Sequence, residues 1–320
     1  MSACSRASCF APESTCDLGF LNTSKCPAWN VTEEARAVQG GATIDELGLP
    51  WSGSALGLVD LGFVAGPVKP LVVAIVGPEN AGKTTLLAAW YLLIGRGLLA
   101  ADRRRFAGSY SLAGWEAVAR ALRWAPGQLP RFPPHTTSRG GRAPGLLHLA
   151  FRNADANPRA YLFTDAPGEW FQKWALNRGA VDAEGARWVT EHADLFLLIA
   201  DREALSGSNM GSARGSLQVL ASRLAAERRR RPVALVWTKS DLEVPPPLES
   251  AVRDAVFCAM PDAAEFSVSV MPPSDVASDK GQGLVELLDW TLSVHRQRVV
   301  LPPLESTSSD PLFVFGASGS

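Results

Sequence analysis

Short apolar runs recur along the chain from residue 71 onward, and each is nearly continuous rather than alternating with polar residues. Such runs are typical of strands covered by helices on both faces. Segments with helical spacing stand between several of them, and this alternation predicts an α/β fold with a mostly parallel sheet. We predict strands at residues 71–76, 145–152, 160–165, 194–200, 232–237 and 265–270.

Helical patterns cover residues 86–93, 213–230 and 284–296, and a further helical insert is predicted at 106–124. Composition sets the expected boundaries of the chain. Residues 1–30 are rich in cysteine, and 31–69 are rich in Gly, Ala and Pro and are predicted to form a connector. We expect the main domain at 70–300 and a flexible tail at 301–320.

A phosphate-binding motif, GxxxxGK[ST], follows the first predicted strand and precedes a helix. Glycines allow a tight turn that points several backbone N–H groups at one spot, where the helix N-terminus adds positive charge. A lysine then reaches the β- and γ-phosphates and a threonine hydroxyl ligates Mg²⁺. The alternative is an ordinary Gly-rich turn. The predicted nucleotide contacts are Gly77, Asn80, Ala81, Gly82, Lys83, Thr84 and Thr85.

The predicted strand at 160–165 ends in Asp165, which is followed by Ala-Pro-Gly168. An aspartate at a strand end beside the phosphate loop can hold Mg²⁺, and the Gly168 N–H can bond the γ-phosphate. Taken alone, the tetrapeptide would be an ordinary turn, since Asp, Pro and Gly all favour turns. Its distance from the phosphate loop favours the functional interpretation.

A third motif, Thr238-Lys239-Ser240-Asp241, follows the strand at 232–237. A carboxylate there can accept hydrogen bonds from guanine N1 and N2, a donor pair that adenine lacks. The Lys239 stem can lie across the base plane. A surface Lys–Asp pair at a strand end is the alternative, but the order of the motifs favours guanine recognition.

These motifs in this order resemble the Ras-like GTPases of the translation-factor-related P-loop class, over residues 70–297. The resemblance implies a three-layer P-loop fold with a mostly parallel six-stranded sheet, and GTP or GDP as the ligand with Mg²⁺. It also implies that Ser269, near the end of the last predicted strand, contacts the guanine. The switch I threonine would be Thr136 or Thr137, with Thr137 preferred as the Mg²⁺ ligand and catalytic residue.

One position departs from the family pattern. Glu169 follows Gly168 where Ras-like switches have a water-positioning glutamine. A carboxylate could orient water, but the γ-phosphate would repel it, so we expect slow hydrolysis that a partner completes. Lys83, Thr137, Gly168 and Glu169 are the candidate catalytic residues. We expect a switch that hydrolyses GTP; the alternatives are a nucleotide-binding scaffold with little hydrolysis or an ATP-using protein.

Four cysteines, Cys4, Cys9, Cys16 and Cys26, occupy the first 26 residues. One Zn²⁺ held by all four would fold so small a segment. Two disulfides or a reduced, disordered tail are the alternatives. We expect Cys258, in a helical pattern, to be a buried small hydrophobic residue.

The Cys-rich head and the phosphate loop also look like those of bacterial double-GTPase proteins from multi-gene conflict or signalling systems. That resemblance implies a regulatory subunit with a protein effector or companion subunit.

The 320 residues carry a net charge of −1, so nothing in the overall charge favours nucleic acid or membrane as a partner. The apolar run near residue 90 is too short to span a bilayer. Since no secretion-type leader pattern precedes the cysteines, we expect a cytoplasmic protein. Trp170 and Trp174, after Gly168, would form a partner-binding surface if exposed.

Overall fold

The structure, a computed structural model, describes residues 18, 25–28, 56–66, 69–97, 104–123, 131–133, 144–152, 158–271 and 282–294. The chain divides into two units, residues 1–49 and 50–320. The helices and strands below belong to the second unit. The boundaries that composition suggests for the head, connector and tail stay predictions.

A seven-stranded sheet carries the second unit. Its strands are β1 (Leu71–Val76), β2 (Arg105–Gly108), β3 (Gly145–Arg152), β4 (Pro158–Asp165), β5 (Leu195–Asp201), β6 (Val233–Thr238) and β7 (Ala264–Ser267). Their spatial order is β2-β3-β4-β1-β5-β6-β7. The pairs from β4 through β1, β5 and β6 to β7 are parallel, whereas β2–β3 and β3–β4 are antiparallel. The prediction of a mostly parallel sheet is confirmed, but the expected number of six strands is wrong.

The additional strand, β2, explains this difference. Residues 106–108 of β2 fall inside the insert that we expected to be helical, and the strand pairs with the outer edge of β3. Only the later part of the insert is helical. Four residues with Gly108 at φ 149° give too short a pattern to distinguish a strand from a helix end.

Helices cover both faces of the sheet. They are α1 (Leu61–Val64), α2 (Lys83–Gly95), α3 (Leu112–Ala119), α4 (Gly168–Leu176), α5 (Glu184–His192), α6 (Arg202–Ser206), α7 (Met210–Glu227), α8 (Pro246–Ala259) and α9 (Gln282–Ser293). Short 3₁₀ turns occur at Leu58–Asp60, Arg120–Leu122 and Val181–Ala183. Within the described ranges, no helix combines the length and apolar character needed to cross a membrane.

Alternate residues of β1 enter two separate cores. Val72, Ala74 and Val76 pack on the face covered by α4, α5, α7 and α8, and the intervening residues pack on the face covered by α2, α3 and α9. Every residue of β1, β5 and β6 is buried. This double burial is the physical reason for the continuous apolar runs in the sequence.

The condition for a tryptophan partner surface is not met. Trp170 and Trp174 are 7% and 0% exposed, because α4 packs them into the core, so they form no partner-binding surface. One expectation about exposure is wrong. Cys258 is exposed rather than buried.

The insert is attached to β3 around His148, which is 3% exposed. The Tyr110 N–H donates to His148 Nδ1 over 3.1 Å, and the His148 N–H donates to Ser111 Oγ over 2.7 Å. The Trp115 indole donates to the His148 carbonyl over 2.9 Å. Burial lowers the pKa of His148 to about 4, so the ring is neutral and keeps Nδ1 as an acceptor.

His148 makes stability depend on pH. Its pKa in the folded protein lies below the value of about 6.5 for an unfolded chain, so the unfolded state binds the extra proton first. We expect the free energy of unfolding to fall as pH drops from 6.5 to 4, by at most about 1.4 kcal/mol per pH unit. Chemical denaturation of His148→Gln should show a smaller slope. The exposed His192 provides the control, since His192→Gln should keep the wild-type slope; equal slopes in all three proteins would contradict the role of His148.

Candidate functional site

A cavity of about 500 Å³ opens at the edge where the parallel strands end. It is lined by the phosphate-loop residues from Glu79 to Leu86, by Phe132, Pro133 and Gly168, by Glu203, by Thr238, Lys239, Asp241 and Leu242, and by Val268, Ser269, Val270, Met271 and Leu284. Ligands of open α/β sheets bind outside the carboxyl ends of the strands. The cavity therefore brings together most of the residues that the three motifs predict.

The phosphate loop turns through left-handed backbone conformations. Asn80 has φ 57° and Gly82 has φ 80°. Gly82 directly precedes Lys83, the first residue of α2, and no described side chain caps that helix N-terminus. The N–H groups of the first turn are thus available to an anion, with the helix dipole behind them. Gly77 lies outside the cavity lining and packs against β5, where an added Cβ would come within 2.8 Å of Ile199 Cβ.

Lys83 is 7% exposed, and its ammonium lies inside this turn. It donates to the carbonyl of Gly77 over 3.2 Å and to that of Pro78 over 2.6 Å. Burial lowers the pKa of Lys83 to about 8, while Asp165 and Glu169 oppose this shift. A bound polyphosphate would restore the charged form by supplying negative charge to a buried cation.

Thr84 and Asp165 meet across the start of α2 and the end of β4. The Thr84 hydroxyl donates to Asp165 Oδ1 over 3.0 Å. Hydroxyl and carboxylate oxygens are hard ligands of the kind Mg²⁺ takes together with phosphate oxygens. The pair therefore fits a magnesium ion shared with a nucleotide, as the two motifs predict.

Gly168 lies directly against the phosphate loop. A Cβ placed on Gly168 would fall 2.2 Å from the Glu79 nitrogen and 2.3 Å from the Pro78 carbonyl carbon. Backbone atoms cannot move away as a flexible side chain can, so only glycine fits. This contact places the start of α4 beside the loop that would hold the phosphates.

Glu169, the next residue, occupies the first turn of α4. Its Oε2 atom is buried and lacks a hydrogen-bond partner among the described residues. Its charge is near enough to Lys83 to raise the pKa of that lysine. A buried carboxylate oxygen without a partner is uncommon and points to a missing donor.

The predicted base-recognition motif, Thr238–Asp241, is bonded to the phosphate loop. The Thr238 hydroxyl donates to the Ala81 carbonyl over 2.9 Å, and Lys239 Nζ donates to the Asn80 carbonyl over 3.0 Å. Lys239 itself has φ 55°. These bonds fix the distance between the two ends of the cavity.

Asp241 lies at the far end of the cavity beside Ser269. The Ser269 hydroxyl donates to Asp241 Oδ1, and the Met271 N–H donates to Ser269 Oγ over 3.0 Å. Strand β7 ends at Ser267, earlier than predicted, so Ser269 stands in the loop that follows. The structure thus places the two predicted base contacts together.

The sequence motifs missed two carboxylates at this end, Asp201 and Glu203. Lys239 Nζ donates to Asp201 Oδ2 over 3.0 Å and to Glu203 Oε2 over 2.6 Å. Burial lowers the pKa of Lys239, but the hydrogen bonds to Glu203 and Asp201 outweigh burial and raise it overall. Asp201 could have been found as an acid that ends an apolar strand at the same sheet edge.

Other predicted site residues lie outside the described part of the chain. They are Thr136, Thr137, Cys4, Cys9 and Cys16. Cys26 is described and is 2% exposed. Among the described residues, no group of three or more His, Cys, Asp or Glu side chains could hold a metal ion. The zinc site and the switch I threonine stay predictions.

Two solved structures show distant similarity to this chain. A crystal structure of Era with MgGDPNP and a 16S ribosomal RNA fragment matches at 20% identity and a TM-score of 0.36, covering 73% of this chain and 60% of that one. The chain therefore spans less than two thirds of that Era structure. A Mycobacterium tuberculosis protein of unknown function matches at 16% identity and a TM-score of 0.20, covering 78% and 76%. Comparison with the curated proteins finds no match.

A family comparison is more specific. The model of the family described as Double-GTPase 2 matches residues 71–291, from the first residue of β1 into α9. This span includes the phosphate loop, the Asp165–Gly168 segment and the base-recognition motif. The predicted resemblance to double-GTPase proteins is confirmed, and the chain belongs to the Double-GTPase 2 family of P-loop GTPases.

Proposed function

We propose that the protein binds GTP and GDP with Mg²⁺, hydrolyses GTP slowly, and acts as a molecular switch in a multi-protein system. One observation carries the proposal: a single cavity joins Lys83 and Thr84 at one end to Asp241 and Ser269 at the other. A phosphate site alone would fit any nucleotide. A carboxylate at the opposite end favours guanine.

At the phosphate end, the uncapped N-terminus of α2 and the turned backbone of the loop would bind the β- and γ-phosphates. Lys83 adds a positive charge that is already held in place by two carbonyls. Thr84 and Asp165 would hold Mg²⁺, which when bound neutralises charge on the phosphates. Because the pKa of Lys83 is about 8 before a ligand binds, binding should take up a proton above that pH.

At the base end, Asp241 would accept from guanine N1 and N2, and Ser269 would hold the carboxylate in that orientation. Lys239 would cover the base with its stem while its ammonium stays bonded to Asp201 and Glu203. Adenine offers no matching donor pair and would leave Asp241 desolvated without a partner.

Hydrolysis depends on Glu169. Its buried oxygen could accept a hydrogen bond from the attacking water and orient it toward the γ-phosphate. The negative charge opposes the approach of that phosphate, which supports slow turnover. The same observation supports a second candidate function, a scaffold that binds GTP without hydrolysing it.

The first test concerns the base. Asp241→Asn should weaken GDP binding about 100-fold, equivalent to about 3 kcal/mol, because the amide loses charge and one acceptor. The matched control is Glu243→Gln, which changes the same charge at an exposed neighbour and should leave affinity unchanged. Titration with labelled GDP, competed by ATP, measures both. Equal competition by ATP in the wild type would contradict guanine recognition.

The second test concerns the close contact at Gly168. Gly168→Ala should weaken Mg²⁺–GTP binding by at least about tenfold, because its Cβ would push Glu79 and Pro78 out of position. Gly95→Ala is the control, since nothing lies within 4 Å of a Cβ at that position. Calorimetric titration of both variants with Mg²⁺–GTP measures the two affinities. Unchanged affinity in Gly168→Ala would mean that the contact does not shape the phosphate site.

The third test separates the enzyme from the scaffold. In a single-turnover assay, Glu169→Ala should hydrolyse bound GTP about tenfold more slowly than the wild type while keeping its GDP affinity. Lys83→Ala sets the background rate, and Glu243→Gln should behave as wild type. A wild-type rate equal to that of Lys83→Ala would leave the scaffold as the function.

A further inference from the structure

The segment 56–64, which precedes β1, pairs with the outer edge of β3 at Leu146. We call it the strap. Leu56 pairs with Leu146 as an antiparallel bridge: the Leu56 N–H donates to the Leu146 carbonyl over 2.8 Å, and the Leu146 N–H donates back over 3.0 Å. Leu56 is 1% exposed. The strap therefore occupies a sheet edge that would otherwise offer unpaired backbone groups.

The strap is attached next to the magnesium side of the site. On its other edge, β3 pairs with β4 so that Gly145 lies opposite Asp165 and Leu146 lies opposite Thr164. Asp165 is the carboxylate bonded to Thr84. Strand β3 thus lies between the strap and β4, the strand that ends in this proposed Mg²⁺ ligand.

A second connection runs through the core. Leu56 and Val64 belong to the same buried cluster as Trp170 and Phe171 of α4. That helix begins at Gly168, whose backbone touches the phosphate loop. The strap therefore supports two parts of the site: the end of β4 at Asp165 and helix α4.

Among the described residues, the strap makes fewer backbone pairs with the β3 edge than β2 does. Further along that edge, β2 pairs with residues 150–152, and the insert bonds both backbone groups of His148. The insert is anchored by Trp115, which is 0% exposed. Between the described residues the strap and β3 share one ladder pair, so less pairing is lost when the strap is released than when β2 is.

We propose that the strap is a brake on nucleotide release: docked on β3 it holds Asp165 and α4 in the binding arrangement, and released it lets GDP leave. A pull on the chain before residue 56 would then promote exchange. This inference rests on the proposed function. Because coupling is reciprocal, a bound nucleotide must also tighten the strap.

Hydrogen exchange at two adjacent amides of β3 measures how firmly the strap is docked, without any mutation. The Leu146 N–H points at Leu56, and because N–H groups alternate along a strand, that of Leu147 points at β4. On the full-length protein, Mg²⁺–GDP should slow hydrogen exchange at Leu146 about tenfold and leave that at Leu147 nearly unchanged. Equal responses of the two amides, or none at Leu146, would overturn the proposal.

Variants test the release rate directly. Leu56→Pro, which lacks the N–H, should release labelled GDP about tenfold faster with Mg²⁺ present, and Leu56→Ala should show a smaller increase. In EDTA the difference should shrink, because the strap acts through the magnesium side of the site. Leu224→Ala, a buried truncation in α7, is the control for general destabilisation.

The outcomes separate the two proposals. Leu56 variants that release GDP no faster than the wild type, or no faster than Leu224→Ala, would overturn the brake while wild-type GDP binding keeps the proposed function. Wild-type protein that binds no GDP in the same titration would overturn both.

Discussion

Two hydrogen bonds between the phosphate loop and the end of β6 determine the shape of the site. Thr238 reaches the Ala81 carbonyl and Lys239 reaches that of Asn80, so the loop that would hold phosphate and the loop that would recognise the base form one unit. A nucleotide is long and carries most of its charge at one end. Fixing both loops to each other before binding means that less ordering is needed when the ligand arrives.

The sheet makes this arrangement possible because its central strands are parallel. Strands β1, β5 and β6 all end at the same edge, and helices on both faces leave that edge as the open part of the central sheet. The buried apolar strands fix the positions of the polar residues that follow them at this edge. Hydrogen-bond acceptors hold the two lysines there: two backbone carbonyls accept from Lys83, and two carboxylates accept from Lys239.

Two segments add to the sheet at its β3 edge. The β2–α3 insert and the strap both bond to the outer edge of β3, one at each end of the strand. An edge strand with free backbone N–H and C=O groups can pair with strands of other molecules. Here the chain's own residues form hydrogen bonds with many of those groups on β3. Gly145 of β3 lies opposite Asp165. The strap on this edge is therefore proposed to affect the nucleotide site as well as the stability of the sheet.

The sequence by itself determined the elements whose pattern is strong: the long buried strands, the helix after the phosphate loop, and the three motifs. Such features depend on the local spacing of residues and on burial, and both can be inferred from the residue types along the chain. It did not reveal β2 or the exposure of Cys258, and it left open whether Trp170 and Trp174 are buried. It also gave no sign of Glu203 beside Lys239 or of Leu56 on Leu146, residues 36 and 90 positions apart. Those contacts were decided by tertiary structure, because distant segments meet only once the sheet order is set.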